Sequence, residues 1–363
     1  MLPFTREELQ LAVDEGRVYA RRHPNLPYTI YNYSDEVAFG GWWNNVTLNC
    51  RGLILDDDFN IVARPWKKFF NMGQRDNEID FHAPVEVTDK LDGSLGILYP
   101  LKPKTYSGHH DFAIATRGSF ESNQAIEGSK IWKEKYDGLH PEPGYTLLYE
   151  IIYPSNRIVV NYHGMRDLVL LGAVDNKYGY YVGPREARCL FYTYVDGKLT
   201  SFIYPGPVAE VFEFKDFGDA LSNWPERPGK EGVVVRSGNK MVKLKQPDYL
   251  ELHKLVTNAT PLNVWRQLKE GFSGFQIVSN FPDEFHDYIW DMVEPLQKAY
   301  DTRLSEIMMR FAQTVNPARD RKYNAMKWAN EPDKRYYFLL LDEKSIRTLL
   351  WTELRPRETK DGS

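Results

Sequence analysis

A single change of hydrophobic pattern, close to residue 257, is the feature that most constrains the fold of this chain. Before it, from Tyr28 to about Lys245, short runs rich in β-branched and aromatic residues alternate with turn residues. These runs are Tyr28–Tyr33, Leu53–Leu55, Ile61–Ala63, Val85–Val87, Gly96–Tyr99, Leu168–Val174 and Gly232–Val235. Such closely spaced strands favour antiparallel sheets over a doubly wound parallel sheet.

After Thr257-Asn258-Ala259-Thr260-Pro261 the apolar residues recur at helical spacing. They are Phe281, Phe285, Tyr288, Ile289, Met292, Val293, Leu296, Tyr300, Leu304, Ile307 and Phe311. Pro295 interrupts this stripe, and we expect it to kink or break the helix. The pattern therefore predicts two domains, residues 1–255 with antiparallel sheets and residues 256–363 with helices alone, in an α+β protein.

The beginning of the chain predicts a short helix. Thr5 and Glu8 form a capping-box pattern, Leu9, Ala12 and Val13 follow at helical spacing, and Gly16 marks the expected end. The segment lacks the apolar centre of a signal peptide, and no apolar run reaches the ~18 residues that span a bilayer. We expect a protein of the cytoplasm that does not enter a membrane.

Composition excludes some classes of protein. The net charge of −4 argues against coating nucleic acid through a general basic surface, although a local basic cleft is compatible with it. The two cysteines, Cys50 and Cys189, have no metal-type or redox-type spacing, so we expect no disulfide and no zinc site. The chain has 9 Trp, 23 Tyr and 19 Phe, and these rings either fill a β-rich core or stack on bases.

The sharpest local motif is Lys90-Leu91-Asp92-Gly93-Ser94, which follows the predicted strand Val85-Glu86-Val87-Thr88. A lysine at a strand end can be held rigidly against a bound nucleotide, and its amine becomes a nucleophile once it loses its proton. The alternative is a common Asp-Gly turn with a solvated lysine. The motif alone does not decide between the two.

A second basic motif, Met241-Val242-Lys243-Leu244-Lys245, lies downstream. In a strand, Lys243 and Lys245 point to the same face, where two like charges require an anion such as a triphosphate between them. The alternative is an edge strand whose lysines are solvated and block aggregation.

Two carboxylates lie in apolar surroundings, Glu150 within a predicted strand and Glu231 just before a run of valines. A buried acid requires a partner or a metal ion. Mg²⁺ uses one or two carboxylates together with substrate phosphates, so both acids are candidate metal ligands. Ion pairs with Arg or Lys are the alternative for each.

Taken in order, these motifs resemble the covalent nucleotidyltransferase superfamily, and most closely its phage single-stranded RNA ligase 1 family. The similar segments are Asn49–Gly52, Ala63–Asn71, Lys90–Ser94, Thr116–Ser119, Tyr149-Glu150, Pro154–Val159, Glu231-Gly232 and Lys243–Lys245. The resemblance implies an antiparallel-sheet nucleotidyltransferase (adenylation) domain of the ATP-grasp-like ligase type, here residues 1–255, and the helical pattern adds a C-terminal domain, residues 256–363.

The resemblance also implies a role for each matching residue. Lys90 would attack the α-phosphate of ATP, and Lys243 and Lys245 would neutralise charge there. Glu150 and Glu231 would organise Mg²⁺, with Mn²⁺ as an alternative. The remaining implied positions are Arg51 and Lys68 on the outgoing phosphates, Tyr31 in the same pocket, Arg117 on phosphate or ribose, and Tyr249 at a further position that the family uses. Arg117 stands where the family has lysine, which leaves its role open.

The implied activity is ATP-dependent RNA ligation through lysyl-AMP and RNA-adenylate intermediates. Its implied substrate is single-stranded RNA or a broken tRNA loop, repaired together with a separate polynucleotide kinase-phosphatase in the host cytoplasm of a phage. We expect a monomer. Two alternatives stay open, an mRNA guanylyltransferase that uses GTP and a catalytically inactive nucleic-acid-binding module. The C-terminal cations either extend the nucleic-acid surface or form a solvated face; they are Arg303, Arg310, Arg319, Arg321 and Lys322.

Overall fold

The computed structural model of the protein describes residues 2–74, 79–101, 111–156, 158–196, 198–227, 229–247, 249, 260–281 and 286–356. The chain divides into two compact units, Met1–Val256 and Thr257–Ser363. Arg157, Phe285 and the segment around Thr257, which the sequence analysis singled out, lie outside the described residues.

The first unit is built mainly of strands. They are β1 (Val18–Arg22), β2 (Tyr28–Tyr33), β3 (Arg51–Asp56), β4 (Ile61–Ala63), β5 (Phe70–Asn71), β6 (Glu86–Lys90), β7 (Ser94–Pro100), β8 (Phe112–Ala115), β9 (His140–Pro141), β10 (Tyr145–Ile152), β11 (Asp167–Asp175), β12 (Tyr181–Val182), β13 (Phe191–Val195), β14 (Lys198–Phe202), β15 (Val211–Phe212), β16 (Gly232–Ser237) and β17 (Lys240–Lys245).

The described strands form four sheets, with the orders β1-β2-β3-β4, β12-β11-β10-β7-β8, β14-β13-β9 and β15-β6-β16-β17-β5. Neighbouring strands pair antiparallel, except that the two-residue strand β5 pairs parallel with β17. The predicted antiparallel architecture is therefore confirmed. Each of the predicted strand runs lies in or overlaps one of these strands.

The helices of the first unit are short. They are α1 (Arg6–Asp14), α2 (Asp35–Gly40), α3 (Asn45–Asn49), α4 (Asn123–Lys135), α5 (Pro184–Ala187) and α6 (Phe217–Asn223). The predicted capping box of α1 is confirmed, because the Thr5 side chain accepts from the Glu8 amide and the Glu8 side chain accepts from the Thr5 amide.

Strand β10 lies at the centre of its sheet, and all of its residues after Tyr145 are buried. Its two faces contribute to two apolar clusters, one containing Leu147, Tyr149 and Ile151 and the other containing Leu148. Full burial of a large apolar side chain stabilises the folded state by about 1.5–3 kcal/mol, so the buried residues of this strand fix its position. Glu150 is therefore held by a strand whose position is strongly fixed.

The second unit is helical throughout its described part. Its helices are α7 (Pro261–Glu270), α8 (Gly274–Ser279), α9 (His286–Thr314), α10 (Arg321–Lys327), α11 (Lys334–Leu341) and α12 (Arg347–Glu353). Together with the sheets of the first unit, they confirm the α+β class. No helix in the described ranges has the length and apolar character required to cross a membrane.

Pro295 does not break a helix, so that part of the prediction was wrong. Helix α9 continues through it. The proline ring is exposed, and the buried residues of the stripe, Ile289, Val293 and Ile307, lie on both sides of it along the chain. Packing of these residues offsets the backbone hydrogen bond that a proline cannot donate.

Candidate active site

Lys90 is the last residue of β6, where it lies opposite Gly232 of β16. Its side chain is 16% exposed, and its Nζ lies 2.5 Å from Oε1 of Glu231. The reading of Lys90 as a solvated turn lysine is therefore wrong. The strand positions a mostly buried amine beside a buried carboxylate.

Glu231 joins Lys90 to a second lysine. The same Oε1 atom lies 2.7 Å from Nζ of Lys245, and the Glu231 side chain is only 3% exposed. One carboxylate thus contacts two ammonium groups. The structure shows the ion pairs that were the alternative for Glu231, and the role of this acid as a metal ligand stays a prediction.

Gly232 permits this arrangement, because it lies directly opposite both Lys90 and Lys245. Its φ is +151°, and an added Cβ would lie 2.1 Å from the carbonyl oxygen of Leu244. Any larger residue would push β16 away from β17. The glycine therefore keeps the three strands, and with them the two lysines, at contact distance.

The lysines of β17 do not lie on a solvated edge strand. β17 pairs with β16 on one side and β5 on the other. Lys243 is 8% exposed, and its Nζ lies 5.3 Å from the ring centroid of Phe69. The guanidinium of Arg51 lies 5.4 Å from the same ring. Phe69 thus links Lys243 of one sheet to Arg51 of another.

Glu150 is the second predicted metal ligand, and it is 9% exposed. Burial raises the pKa of its carboxyl to about 8, and the nearby Lys90 ammonium opposes this rise. The Gly93 backbone packs closely against the acid, since an added Cβ there would lie 2.8 Å from the Ile151 carbonyl oxygen and 3.2 Å from Oε1 of Glu150. The turn after Lys90 therefore lies directly against Glu150.

Asp92 holds that turn in place through hydrogen bonds to buried groups. Its Oδ2 accepts from the amides of Val159 and Val160, both at 2.8 Å. Its Oδ1 accepts from the Tyr249 hydroxyl at 2.9 Å. The Asp92 amide donates to the Tyr162 hydroxyl at 2.7 Å. Sequence reasoning gave Asp92 and Tyr162 no role, although the position of Asp92 within the lysine motif was a usable signal.

A second cluster of cations lies around Tyr33. The Tyr33 hydroxyl accepts from Arg117 at 3.0 Å and from the Lys68 ammonium at 3.4 Å. The Lys68 ammonium also lies 5.5 Å from the ring of Trp43 and 5.6 Å from that of Phe70. Rings and one hydroxyl therefore hold two cations close together.

Tyr31 does not join this cluster. It packs against the apolar residues beneath α1, including Cys50, Leu53 and Leu55. The pairing of β2 with β3 shifts register between Tyr31 and Asn32. Period-two alternation does not hold across a bulge, so the sequence could not separate Tyr31 from Tyr33. Tyr33, two residues later, contacts Lys68 and Arg117.

The acids near Lys90 do not form a preformed metal cage. Within the described residues, no group of three or more His, Cys, Asp or Glu side chains could hold a metal ion. Glu150 and Glu231 remain two buried carboxylates beside Lys90. This donor set fits a Mg²⁺ ion that is held largely by substrate phosphates and water.

Comparison with known proteins identifies the family of this chain. The sequence model of a family described as RNA ligase matches residues 49–249. The chain belongs to this RNA ligase family. The matched range contains every predicted site residue except Tyr31, and the resemblance to the phage RNA ligase 1 family is confirmed.

The relatives of this RNA ligase agree with the family. It is 25% identical to an RNA ligase of Rhodothermus phage RM378 over 380 aligned residues, which cover 84% of each chain. It is 27% identical to a putative RNA ligase of Thermovibrio ammonificans over 133 residues, which cover 34% of this chain and 32% of the relative.

Two solved structures are similar at low identity. A putative ATP-dependent DNA ligase from Aquifex aeolicus has a TM-score of 0.41 at 13% identity, with 94% of this chain and 88% of that chain covered. An archaeal ATP-dependent RNA ligase has a TM-score of 0.44 at 14% identity, with 96% of this chain and 76% of that chain covered.

Proposed function

We propose that this RNA ligase is ATP-dependent and joins 5′-phosphate and 3′-hydroxyl RNA ends through lysyl-AMP and RNA-adenylate intermediates, with Lys90 as the nucleophile. One observation carries the proposal: Lys90 and Lys245 share a single oxygen of the buried Glu231. A second ammonium group next to a strand-anchored amine suits a phosphate at the point of attack.

The reaction would proceed in three phosphoryl transfers. The free amine of Lys90 forms a bond to the α-phosphorus of ATP, and the bond from that phosphorus to the bridging oxygen breaks to release pyrophosphate. An oxygen of the RNA 5′-phosphate then attacks the same phosphorus and frees Lys90. Finally, a 3′-hydroxyl oxygen attacks the 5′-phosphate and expels AMP, which forms the phosphodiester.

Lys243 and Lys245 would stabilise the charge on the α-phosphate oxygens. Lys245 reaches the Glu231 oxygen that also contacts Lys90, so it lies next to the attacking amine. Lys243 is buried two residues before it on the same strand, against Phe69. Preorganised cations stabilise a transition state without reorganising, and loss of one such donor costs about 10²–10³ in rate.

Arg51, Lys68 and Arg117 would bind the outgoing β- and γ-phosphates. Phe69 links Arg51 to Lys243, and the Tyr33 hydroxyl holds Lys68 and Arg117 together. The guanidinium of Arg117 offers a planar fork where the resembled family has lysine, so it can contact two phosphate oxygens at once.

Glu150 and Glu231 would hold the Mg²⁺ ion, or Mn²⁺, that accompanies the nucleotide. Such an ion neutralises developing charge on phosphate oxygens. The chemistry of the two carboxylates supports this assignment, because a cation would favour the ionised form of the buried Glu150 carboxyl, which burial alone disfavours.

Repair of a broken tRNA loop is the biological setting that we propose. Such breaks would require a separate polynucleotide kinase-phosphatase to prepare the ends. The relative from a Rhodothermus phage supports a phage origin, which would place the enzyme in the cytoplasm of the host cell. We propose that the enzyme acts there as a monomer.

The test is to incubate the protein with α-labelled ATP or α-labelled GTP, then with RNA carrying a 5′-phosphate and a 3′-hydroxyl. We expect an AMP adduct with the amine of Lys90 that survives alkali and is cleaved by acid, as a phosphorus–nitrogen bond is, followed by RNA sealing. A GMP adduct without sealing would identify a guanylyltransferase. RNA binding without either adduct would identify an inactive binding module.

A further inference from the structure

Two tyrosines stand exposed at the turn between β11 and β12, in the first unit and outside the cluster around Lys90. Tyr178 is 59% exposed and Tyr180 is 62% exposed. Their ring centroids are 5.8 Å apart with an interplanar angle of 23°. The two rings therefore form a nearly parallel stack that faces solvent. We call Lys177, Tyr178 and Tyr180 the tyrosine platform.

The turn that carries the platform is held firmly by its neighbours. Asn239 accepts from the Tyr181 amide at 2.9 Å and donates to the Gly179 carbonyl at 2.9 Å. The Asp175 carboxylate accepts from the Tyr178 amide at 2.7 Å. These bonds hold the turn and its two rings in one conformation, which lowers the conformational entropy that a ligand would have to remove on binding.

Arg64 supports the turn from below. Its guanidinium donates to the Asn176 carbonyl at 3.3 Å, and a Cβ at Gly179 would lie 2.7 Å from that guanidinium. Gly179 has a φ of +75°, so the bend between the two tyrosines requires both the space and the backbone conformation of glycine. This bend places the two rings side by side.

The charge around the platform suits phosphate. The ammonium of Lys177 lies 5.0 Å from the ring centroid of Tyr178. The exposed residue Lys67 donates its amide to the Tyr181 hydroxyl at 2.9 Å, which places it beside the same turn. Exposed rings flanked by lysines are the chemistry that binds single-stranded nucleic acid, since bases stack on the rings and lysines contact the backbone.

The platform is also connected to the phosphate-binding cations. Lys67 contacts Tyr181 through its amide, and the next residue, Lys68, directs its ammonium at Tyr33. The segment Lys67-Lys68 therefore joins the residue that follows Tyr180 to the cluster around Tyr33. The lysine at the exposed rings and the RNA ligase family of the chain favour an RNA strand over a protein partner as the occupant.

We propose that the tyrosine platform is a stacking subsite for the single-stranded part of the RNA substrate. Bases stack on Tyr178 and Tyr180, and Lys177 contacts a neighbouring phosphate. The subsite takes no part in the transfer of AMP to Lys90. It rests on the RNA ligase activity of the family but not on the identity of the nucleotide.

The test compares three full-length variants by RNA binding and by self-adenylylation. They are the double variant Tyr178→Ala with Tyr180→Ala, the double variant Tyr178→Phe with Tyr180→Phe, and the control Tyr19→Ala. Tyr19 is a matched control because it is 50% exposed and lies near the carboxylates of Asp35 and Glu36, where RNA would be repelled.

We expect the alanine double variant to raise the Kd for a long single-stranded RNA about tenfold, as loss of base stacking does elsewhere. The phenylalanine double variant should bind as the wild type does, since stacking needs the ring and not the hydroxyl. A very short RNA should bind all variants equally, because it does not extend to the platform. The adenylylation rate should be unchanged throughout.

The variant Lys177→Glu tests the role of the lysine independently, because it leaves both rings in place. It should weaken binding of the long RNA and reduce the dependence of the Kd on salt. Wild-type affinity of the alanine double variant for long RNA would overturn the proposal, and so would equal weakening by Tyr19→Ala. A change in oligomeric mass without a change in RNA affinity would instead assign the rings to a protein contact and also overturn it.

Failure of the proposed function is distinguishable in the same experiment. Absence of a lysyl-AMP adduct in the wild type would contradict the ATP-dependent mechanism, whereas RNA binding by anisotropy still reports on the platform directly.

Discussion

The hydroxyl of Tyr249 donates a 2.9 Å hydrogen bond to Oδ1 of Asp92, two residues beyond Lys90, the proposed nucleophile. Tyr249 is 1% exposed and Asp92 is 3% exposed, so water does not replace either partner readily. The other Asp92 oxygen is bonded to the amides of Val159 and Val160. Tyr249 therefore completes the set of contacts that fixes the turn after Lys90.

Tyr249→Phe should slow adenylylation of Lys90 and lower the free energy of unfolding by about 1–3 kcal/mol, because one oxygen of a buried carboxylate loses its donor. The matched control is Tyr204→Phe, which removes a buried 2.7 Å bond to the Leu168 carbonyl in the core. The control should lose stability and keep its adenylylation rate. Equal rates for both variants would show that Tyr249 has a structural role alone.

Glu150 should make stability depend on pH. The unfolded chain releases this proton near the ordinary carboxyl pKa, whereas the folded protein retains it up to a pKa of about 8. The folded state therefore binds more protons between these values, and stability falls as the pH rises through them. Glu150→Gln removes this contribution, since the amide is neutral at every pH.

The measurement is the Tm of wild type and Glu150→Gln, without nucleotide or divalent ion, from about pH 5 to pH 8. The stability of the variant relative to the wild type should increase along this range and level off above it. A constant difference would contradict the raised pKa of Glu150.

Lys243→Ala should reduce adenylylation by about 10²-fold, because a preorganised cation at the α-phosphate is lost. Lys240→Ala is the matched control, since Lys240 is an exposed residue at the start of the same strand. Initial rates and melting temperatures should be measured for both. If the rate of Lys243→Ala falls only in proportion to its stability, Lys243 acts in packing against Phe69.

The exposed cations of the helical unit are a separate hypothesis. Arg303 is not among them, because its guanidinium forms ion pairs within the unit, with Asp333 at 2.5 Å and with Glu353 at 3.0 Å. Arg321 contacts Asp342 at 3.0 Å. Arg310, Arg319 and Lys322 are exposed. Structural ion pairs and surface cations could not be separated by sequence pattern alone.

Replacing Arg310, Arg319 and Lys322 together by alanine should reduce the preference for a broken-loop RNA over a plain single strand, provided that the unit selects substrate. The sealing rates on both RNAs at fixed salt give the ratio. An unchanged ratio, with unchanged adenylylation, would assign these residues to a solvated face.

The fold was predictable where one pattern dominates. The strand run Tyr28–Tyr33 and the capping box of Thr5 and Glu8 reflect local physical chemistry, and both are confirmed. Pro295 does not end the helix, because packing of the apolar stripe outweighs a local cost that the sequence makes visible. Tertiary context decides such cases, and spacing does not reveal it.

The site divides in the same way. The sequence identified Lys90, Glu231 and Lys245, and the structure brings them together at one carboxylate oxygen. It could not identify Tyr33, because a bulge changes the alternation after Tyr31. It also could not show that Tyr249 meets Asp92, since the two lie 157 residues apart in the chain.

The most direct test of the account is the Lys90→Ala variant, assayed in parallel with ATP and with pre-adenylylated RNA. Because Lys90 acts in the first two transfers and not in the third, the variant should form no AMP adduct and yet join pre-adenylylated RNA to a 3′-hydroxyl end. Lys240→Ala should do both. Formation of a covalent AMP adduct by Lys90→Ala, or sealing with ATP at the wild-type rate, would contradict the account.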